Sequence, residues 1–480
     1  MKIPFIINRA AQNFPDNPAL LNRGSIITFS ELKQKIARTA SFLRKNGLQQ
    51  KDRVAIFREP SPEYISTLWA VMSAGAVAVP LSTRLPLENL LQQLEQTDCS
   101  YLLEDNWPGN LPQKVRCISL QDRIPHKGEA TNIPLGIEEN QPTTIVFTSG
   151  SSGKQRPVVH SYGNHYFSAL GSNANITLRP GDSWLLSLPI YHVSGISILF
   201  RTALAGAAVI IPQKDKSLPE QIAESRPTHI SLVAAQLDEL LGEQKVWPLM
   251  KSMRAILLGG SAIPPKLIRR AYDAGWPLFV SYGSTQLASQ ITTTTPGAAL
   301  DELLTAGYLL PHREIIISQN KEILLKGETL FLGYWQKDEI IPAVDDEGWF
   351  ASGDIGFVDE QGRLVIKGRL DRMFISGGEN IYPEEIEKEL LKLKDVRQTV
   401  VVAMPNDRFG FRPIAFLDVD NWNDTLSEDI NKQLRRKLPA YKVPDRYLPW
   451  PKDVPRGMKT PWKWFEELIK NYKKSKGSKY

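Results

Sequence analysis

The stretch TTIVFTSGSSGKQR, residues 143–156, decides how the rest of the chain is read. Its first five residues are apolar or β-branched and predict a buried strand, so the loop that follows springs from a rigid element. Gly150 and Gly153 keep the backbone at those two positions free of a Cβ atom and able to take positive φ, and successive N–H groups can then converge on an anion. The hydroxyls of Thr148, Ser149, Ser151 and Ser152 surround them, and Lys154 and Arg156 add positive charge. That chemistry suits a polyphosphate. Taken alone, a Gly/Ser-rich segment is equally a flexible connection without a ligand. Nor is it the common P-loop, since G-x-x-x-x-G-K-[ST] is absent and Lys154 is followed by Gln155.

Outward from this stretch, strand and helix patterns alternate. Strands are expected at residues 25–29, 53–57, 76–80, 101–103, 184–188, 207–211 and 255–258, with helices at 30–45 and 63–75 among them. This alternation predicts a layered α/β fold with mostly parallel sheets. After about residue 327 the chain changes to short strands set off by turn clusters, DDEG at 345–348 and DEQG at 359–362. A compact α+β pattern follows, with helices at 383–393 and 426–438 and strands at 399–403 and 413–419. The reading is a large multi-layer N-terminal domain, 1–369, and a small C-terminal α+β domain, 370–480, joined at Arg369 to Asp371. There are no internal repeats and no long low-complexity segment.

A chain of 480 residues is too long for one ordinary core, and its 42% hydrophobic and 23% charged content is that of a soluble globular protein. Much of the net charge of +6 gathers at Lys470, Lys473, Lys474, Lys476 and Lys479, which reads as a solvated terminus. No basic stripe interleaved with aromatics occurs elsewhere, so a nucleic-acid partner is not expected. Cys99 and Cys117 are the only cysteines, without a CxxC or a His/Cys cluster, which points to a reducing, cytoplasmic compartment and no structural zinc. The first twenty residues lack the apolar core of a signal peptide and read as the first helix of the fold. The most apolar run, residues 196–212, is broken by Arg201 and too short to span a bilayer. It reads as a buried helix leading into a strand, and no transmembrane segment is expected.

Four more clusters follow the loop in order. They are PIYHVSG at 189–195, LGGS at 258–261, VSYGSTQ at 280–286, and a long run holding SGD at 352–354, GRLD at 368–371 and SGGENIYP at 376–383. With these in view the chain resembles the adenylate-forming superfamily of acyl- and aryl-CoA synthetases, luciferase and peptide-synthetase adenylation domains. The resemblance spans essentially the whole chain. Within the superfamily, the block at 189–201 and the ISGGENIYP block are most similar to the o-succinylbenzoate–CoA ligase family of menaquinone or phylloquinone biosynthesis.

The resemblance implies ATP, Mg²⁺, coenzyme A and a small carboxylic acid as ligands. The acid would be converted to an acyl-adenylate and then to a thioester. Residues 148–156, with Thr148, Ser149, Gly150, Ser151, Ser152, Gly153 and Lys154, would hold the departing pyrophosphate. Tyr282 and Gly283 would flank adenine against Gly259, Gly260 and Ser261. Asp354 would accept from the ribose hydroxyls, with Arg369 near the same sugar, and Thr285 would donate to the α-phosphate. Lys459 would bridge the carboxylate and α-phosphate. For the second step, a mobile small domain would turn about Asp371 and bring in the Ser376, Gly377 and Gly378 face, along which the pantetheine arm passes.

His192 and Ser194 would border the acid; a lone histidine after an apolar strand is also simply a packed side chain. Arg201 interrupts an apolar stretch and needs either a carboxylate partner or an exit to water. The free ring carboxylate of o-succinylbenzoate would serve, as would a structural ion pair or snorkelling to the surface.

Two positions depart from the superfamily pattern. Gln286 stands where Glu normally helps hold Mg²⁺, and an amide is a weaker ligand for a hard dication. The last motif lacks the usual spacing, which leaves Lys463 as a reserve for Lys459. Three other readings stay open: another aryl- or fatty-acyl-CoA ligase, a catalytically weakened nucleotide-binding homologue, and an adenylation domain serving a carrier protein.

Overall fold

The computed structural model describes residues 1–104, 106–119, 132–148, 155–422, 425–455 and 461–475. The strand at the root of the opening stretch, Pro142–Phe147, lies inside an eight-stranded sheet. Val77–Pro80, Arg53–Phe57, Tyr101–Glu104 and Arg116–Ser119 follow it on one side, all parallel. On the other side Pro157–Ser161 returns antiparallel. A nine-stranded sheet holds a second parallel series, running from Leu278–Ser284 through Ala255–Leu258, His229–Leu232, Ser183–Leu185 and Ala208–Ile210 to Pro18–Asn22.

The side-chain alternation of these strands explains why they stack into layers. Val54 and Ile56 face one apolar cluster together with Trp184, Val209 and Leu257 of the other sheet, so this core lies between the two sheets. Ala55 and Phe57 face the opposite way, against Leu90 and Leu94 of the helix Leu87–Gln96. Leu185, Ile256 and Leu258 likewise face a separate cluster with the helices Ala234–Gly242 and Pro265–Asp273. Strands buried on both faces read as continuous apolar runs, as parallel strands do.

Local signals set the helix limits. Thr28 and Glu31 form a reciprocal capping box that starts Phe29–Lys45 one residue before the expected position, at 3.2 and 2.8 Å. The apolar run containing Arg201 is a buried helix, Val193–Ala205, leading into the strand Ala208–Ile210. The opening segment contributes a short strand, Lys2–Pro4, before its helix Ile6–Asn13. The turn-rich region after residue 310 forms a third, four-stranded antiparallel sheet of Glu314–Ile317, Glu322–Lys326, Phe350–Val358 and Leu364–Arg369.

Residues beyond Asp371 build their own cores. One packs the helices Pro383–Leu390 and Leu426–Leu434 on one face of the strands Val396–Asn406 and Gly410–Val419, and the other packs Phe465 and Ile469 on the opposite face. Neither cluster includes a residue from before Asp371. The two parts touch through polar groups: Lys266 Nζ donates to the Val396 carbonyl at 2.5 Å, and the Arg369 N–H donates to Glu384 Oε1 at 3.2 Å. Among the described residues no helix is long and apolar enough to cross a membrane.

Candidate active site

The loop at residues 149–154, with Ser149, Gly150, Ser151, Ser152, Gly153 and Lys154, lies outside the described residues, but its neck does not. Phe147 pairs with Pro157, the Thr148 N–H donates to the Arg156 carbonyl at 3.0 Å, and the Arg156 N–H donates to Thr148 Oγ1 at 3.1 Å. The strands on either side of it therefore stay paired as far as Thr148 and Arg156. The Arg156 guanidinium stands 5.2 Å over the Tyr334 ring, and Tyr334 Oη accepts from Gln286 Nε2 at 3.0 Å. A tyrosine absent from the sequence reading thus joins the loop to the segment carrying Thr285.

Gly259, Gly260 and Tyr282 sit at or beyond the carboxyl ends of adjacent parallel strands, where open α/β sheets bind ligands. Gly260 holds φ +84°, a conformation that favours glycine, as the chain leaves its strand toward Ser261. From Tyr282 a polar chain runs through residues far apart in sequence. Tyr282 Oη donates to Asp354 Oδ2 at 2.5 Å, Arg369 Nη1 donates to Asp354 Oδ1 at 3.0 Å, and Arg369 Nε donates to Asp371 Oδ1 at 3.1 Å. Burial, and then the Asp354 carboxylate, push the Tyr282 phenol well above its ordinary range, so it remains a donor. Asp354 and Arg369 are partners in a strand pair, which is why the chain closes.

Thr285 opens a short 3-10 turn, Thr285–Leu287, after the strand Leu278–Ser284. The return is sharp: a Cβ on Gly283 would lie 2.1 Å from the Ser289 carbonyl oxygen, so only glycine fits. Ala288 and Ser289 hold φ of 51° and 131°, sparsely populated values of the kind that cluster at functional sites.

The acid-facing block turns just as tightly. A Cβ on Gly195 would meet the Pro189 carbonyl oxygen at 2.2 Å. His192 is the N-cap of Val193–Ala205, with its ring edge-to-face on Tyr191 at 4.8 Å, and Ser194 lies in the first turn. Farther along the same helix Arg201 is only 1% exposed. Its Nη2 donates to Ser289 Oγ at 3.1 Å, its guanidinium lies 5.4 Å from the Trp184 ring, and its Nε is buried without a partner. Among the described residues no carboxylate lies within ion-pair distance. Burial, and then Arg313, push Arg201 down to about 9.

Neither a structural ion pair nor an exit to water therefore accounts for Arg201. Arg313 shows the contrast. It is also buried, but its guanidinium donates to the carbonyls of Gln290, Pro311 and Ser168 and to Ser168 Oγ at 2.6–3.2 Å. A buried cation left short of acceptors calls for an anion from outside.

In the small domain, Gly377 and Gly378 hold φ of 59° and 90° between strands in which Ser376 pairs with Glu379. This is a two-residue hairpin needing positive φ at both central positions, a local reason for the glycine pair besides room for a ligand. Ser376 is buried beneath it, beside Arg412. Asp371 lies in the 3-10 turn Leu370–Arg372 that links the two parts. Lys459 lies outside the described residues, while Lys463 is in the first turn of the helix Trp462–Ser475 with its ammonium 5.4 Å from the Trp462 ring.

The family model for the AMP-binding enzyme matches residues 7–335, and that for the AMP-binding enzyme C-terminal domain matches residues 385–457. The 2-succinylbenzoate–CoA ligase of Bacillus pumilus is 33% identical over 88% of this chain and 89% of its own length. The o-succinylbenzoate CoA synthetase MenE of Bacillus subtilis, in complex with the acyl-adenylate intermediate OSB-AMP, is similar with a TM-score of 0.87 and 30% identity over 97% of this chain and 98% of that one. The same enzyme with ATP and magnesium ion gives 0.87 and 30% over 97% and 100%.

Proposed function

The chain belongs to the AMP-binding enzyme family, and on that premise we propose that it is an ATP-dependent o-succinylbenzoate–CoA ligase of menaquinone or phylloquinone biosynthesis. A carboxylate is a poor acyl donor because its leaving group would be an oxide. Its oxygen attacks the α-phosphorus of ATP, the α–β bridging bond breaks and pyrophosphate departs. The thiol sulfur of coenzyme A then attacks the acyl carbon, the bond to phosphate breaks, and AMP and the thiol proton leave.

The observation that carries the choice of acid is Arg201, buried and without a carboxylate partner among the described residues. We assign it the ring carboxylate of o-succinylbenzoate, with His192 and Ser194 along the acid. The chain Tyr282, Asp354, Arg369 supports a nucleoside site, adenine on Tyr282 beside Gly259, Gly260 and Ser261, and ribose hydroxyls on the remaining Asp354 lone pairs. Thr285 faces the α-phosphate, Thr148 with residues 149–154 holds pyrophosphate, and Lys459 bridges carboxylate and phosphate. Separate cores before and after Asp371 support domains at 1–369 and 370–480, with the turn at Asp371 carrying the rotation that exchanges Lys459 for the Ser376, Gly377 and Gly378 face. Two unpaired cysteines, Cys99 buried and Cys117 exposed, support a cytoplasmic setting.

Among the described residues no group of three or more His, Cys, Asp or Glu side chains could hold a metal ion. Magnesium in this site fits a cation carried mainly by the phosphates, neutralising their charge, with Gln286 adding at most its Oε1 because its Nε2 is given to Tyr334. Changing Gln286→Glu is expected to lower the Mg²⁺ concentration for half-maximal rate by about threefold to tenfold, since a carboxylate is the harder ligand. Mg²⁺ titration of the initial rate checks this, and an unchanged midpoint means the position does not face the metal. The activity itself is tested by exchange of labelled pyrophosphate into ATP with o-succinylbenzoate present and coenzyme A absent. Exchange is expected; none with any acid overturns the assignment.

A further inference from the structure

His160 lies on the strand Pro157–Ser161, fully buried, immediately before a register shift in its pairing with Pro142–Phe147. Its Nε2 is 2.6 Å from the carbonyl oxygen of Thr285, the first residue of the 3-10 turn. A carbonyl only accepts, so Nε2 must carry the proton. Burial pushes His160 down to about 4, which leaves the ring neutral and makes Nδ1 an acceptor. Nδ1 faces Thr144 Oγ1 at 3.5 Å, and the same hydroxyl is 2.8 Å from Nε2 of His165. His165 is buried too and stacks on Phe200, the neighbour of Arg201 in its helix, with ring centroids 5.1 Å apart.

These contacts have one consistent direction. His165 Nε2–H donates to Thr144, the Thr144 hydroxyl donates to His160 Nδ1, and His160 Nε2–H donates to Thr285. In this arrangement the unpartnered Nδ1 of His165 is a bare lone pair rather than a stranded N–H. The turn it restrains is the one whose neighbours are strained at Ala288 and Ser289, a geometry that persists only where the surroundings over-determine it.

We infer that His160 is a positioning residue for acyl-adenylate formation: by holding the Thr285 carbonyl it fixes the turn that aims Thr285 at the α-phosphate. This rests on the role of Thr285 given above. His160 does not exchange a proton with substrate. It acts through the backbone, and the same relay ties the phosphate-facing turn to the helix that carries Arg201.

Three variants test it by pyrophosphate exchange, with kcat and KM for ATP determined separately. In His160→Gln the amide reaches the place of Nε2–H and can donate to the same carbonyl. In His160→Asn it stops short, near the place of Nδ1, and His160→Leu fills the volume without a donor. Leu and Asn are expected to lower kcat by on the order of a hundredfold, the effect of an ångström-scale misplacement, with KM for ATP moving less than about threefold. Gln is expected to recover kcat to within about fivefold of wild type, since the donor is restored. Should the Leu variant fail to fold, the Gln and Asn pair decides. Equal kcat in these two, or a wild-type kcat in folded His160→Leu, overturns the role of His160. A wild-type protein that exchanges nothing overturns the ligase reading instead.

Discussion

Arg201→Met is expected to make the ligand-free protein more stable and to deprive it of its diacid. The guanidinium is buried, its Nε has no partner, no carboxylate among the described residues lies near, and the second buried cation, Arg313, repels it. Replacing buried charge with apolar side chains of similar volume is often neutral or stabilising by about 1–4 kcal/mol. Methionine follows much of the same path through the packing and keeps contact with Trp184. Thermal unfolding should therefore move up by about 1 °C for each kilocalorie per mole regained, the unfolding entropy of so large a domain being high. The price is recognition: truncating one partner of a buried charge pair costs about 2–5 kcal/mol, so KM for o-succinylbenzoate should rise by on the order of 30-fold to 4,000-fold. A monocarboxylic acid such as benzoate has no second carboxylate and should change little. Wild type should gain stability when o-succinylbenzoate is added, and the variant should not. A fall in melting temperature with equal losses for diacid and monoacid would mean that Arg201 only supports the fold.

Asp354→Asn should be the most damaging single change at the nucleotide end. The carboxylate already takes Tyr282 Oη at 2.5 Å and Arg369 Nη1 at 3.0 Å, one on each oxygen, and keeps a lone pair on each for the ribose hydroxyls. An asparagine turns one of those acceptors into a donor: its oxygen can stay with Arg369, but its NH2 then reverses the bond to Tyr282 Oη and has no lone pair left for the ribose. Hydrogen bonds to charged groups contribute about 1.5–3 kcal/mol each, and two are lost or inverted, so kcat/KM for ATP should fall by on the order of 10²–10⁴. Because ribose is held alike before and after phosphoryl transfer, most of the loss should be in KM, with kcat falling far less. Steady-state kinetics over an ATP series checks this. A fall confined to kcat would place Asp354 at the reacting atoms rather than on the sugar.

Much of this site was legible because its chemistry is local in sequence. The Gly/Ser loop, the SGD and GRLD turns and the SYGSTQ strand end each declare small residues and one polar group where strands stop. Their convergence was visible only through the order of the motifs: strand pairing in the third sheet sets Asp354 beside Arg369, while Tyr282 reaches Asp354 from the nine-stranded sheet. Arg201 could be flagged as anomalous, yet whether it had a partner depended on residues more than eighty positions away, Ser289 and Arg313.

Other features left no mark in the pattern. His160 sits in an apolar run where a lone histidine reads as packing, and its role depends on a carbonyl 125 residues distant. Tyr334 joins loop to turn from an antiparallel strand with no motif of its own. The glycine pair at 377 and 378 carries two readings at once, since the hairpin geometry by itself also calls for glycine at both positions.

The most direct measurement gives the purified protein ATP, Mg²⁺ and coenzyme A with one acid at a time, and quantifies AMP and the acyl-CoA together. With o-succinylbenzoate the two should appear in equal amounts, and benzoate, coumarate and medium-chain acids should give far less of both. AMP and thioester formed as readily from those monocarboxylic acids, or from no acid at all, would contradict the assignment.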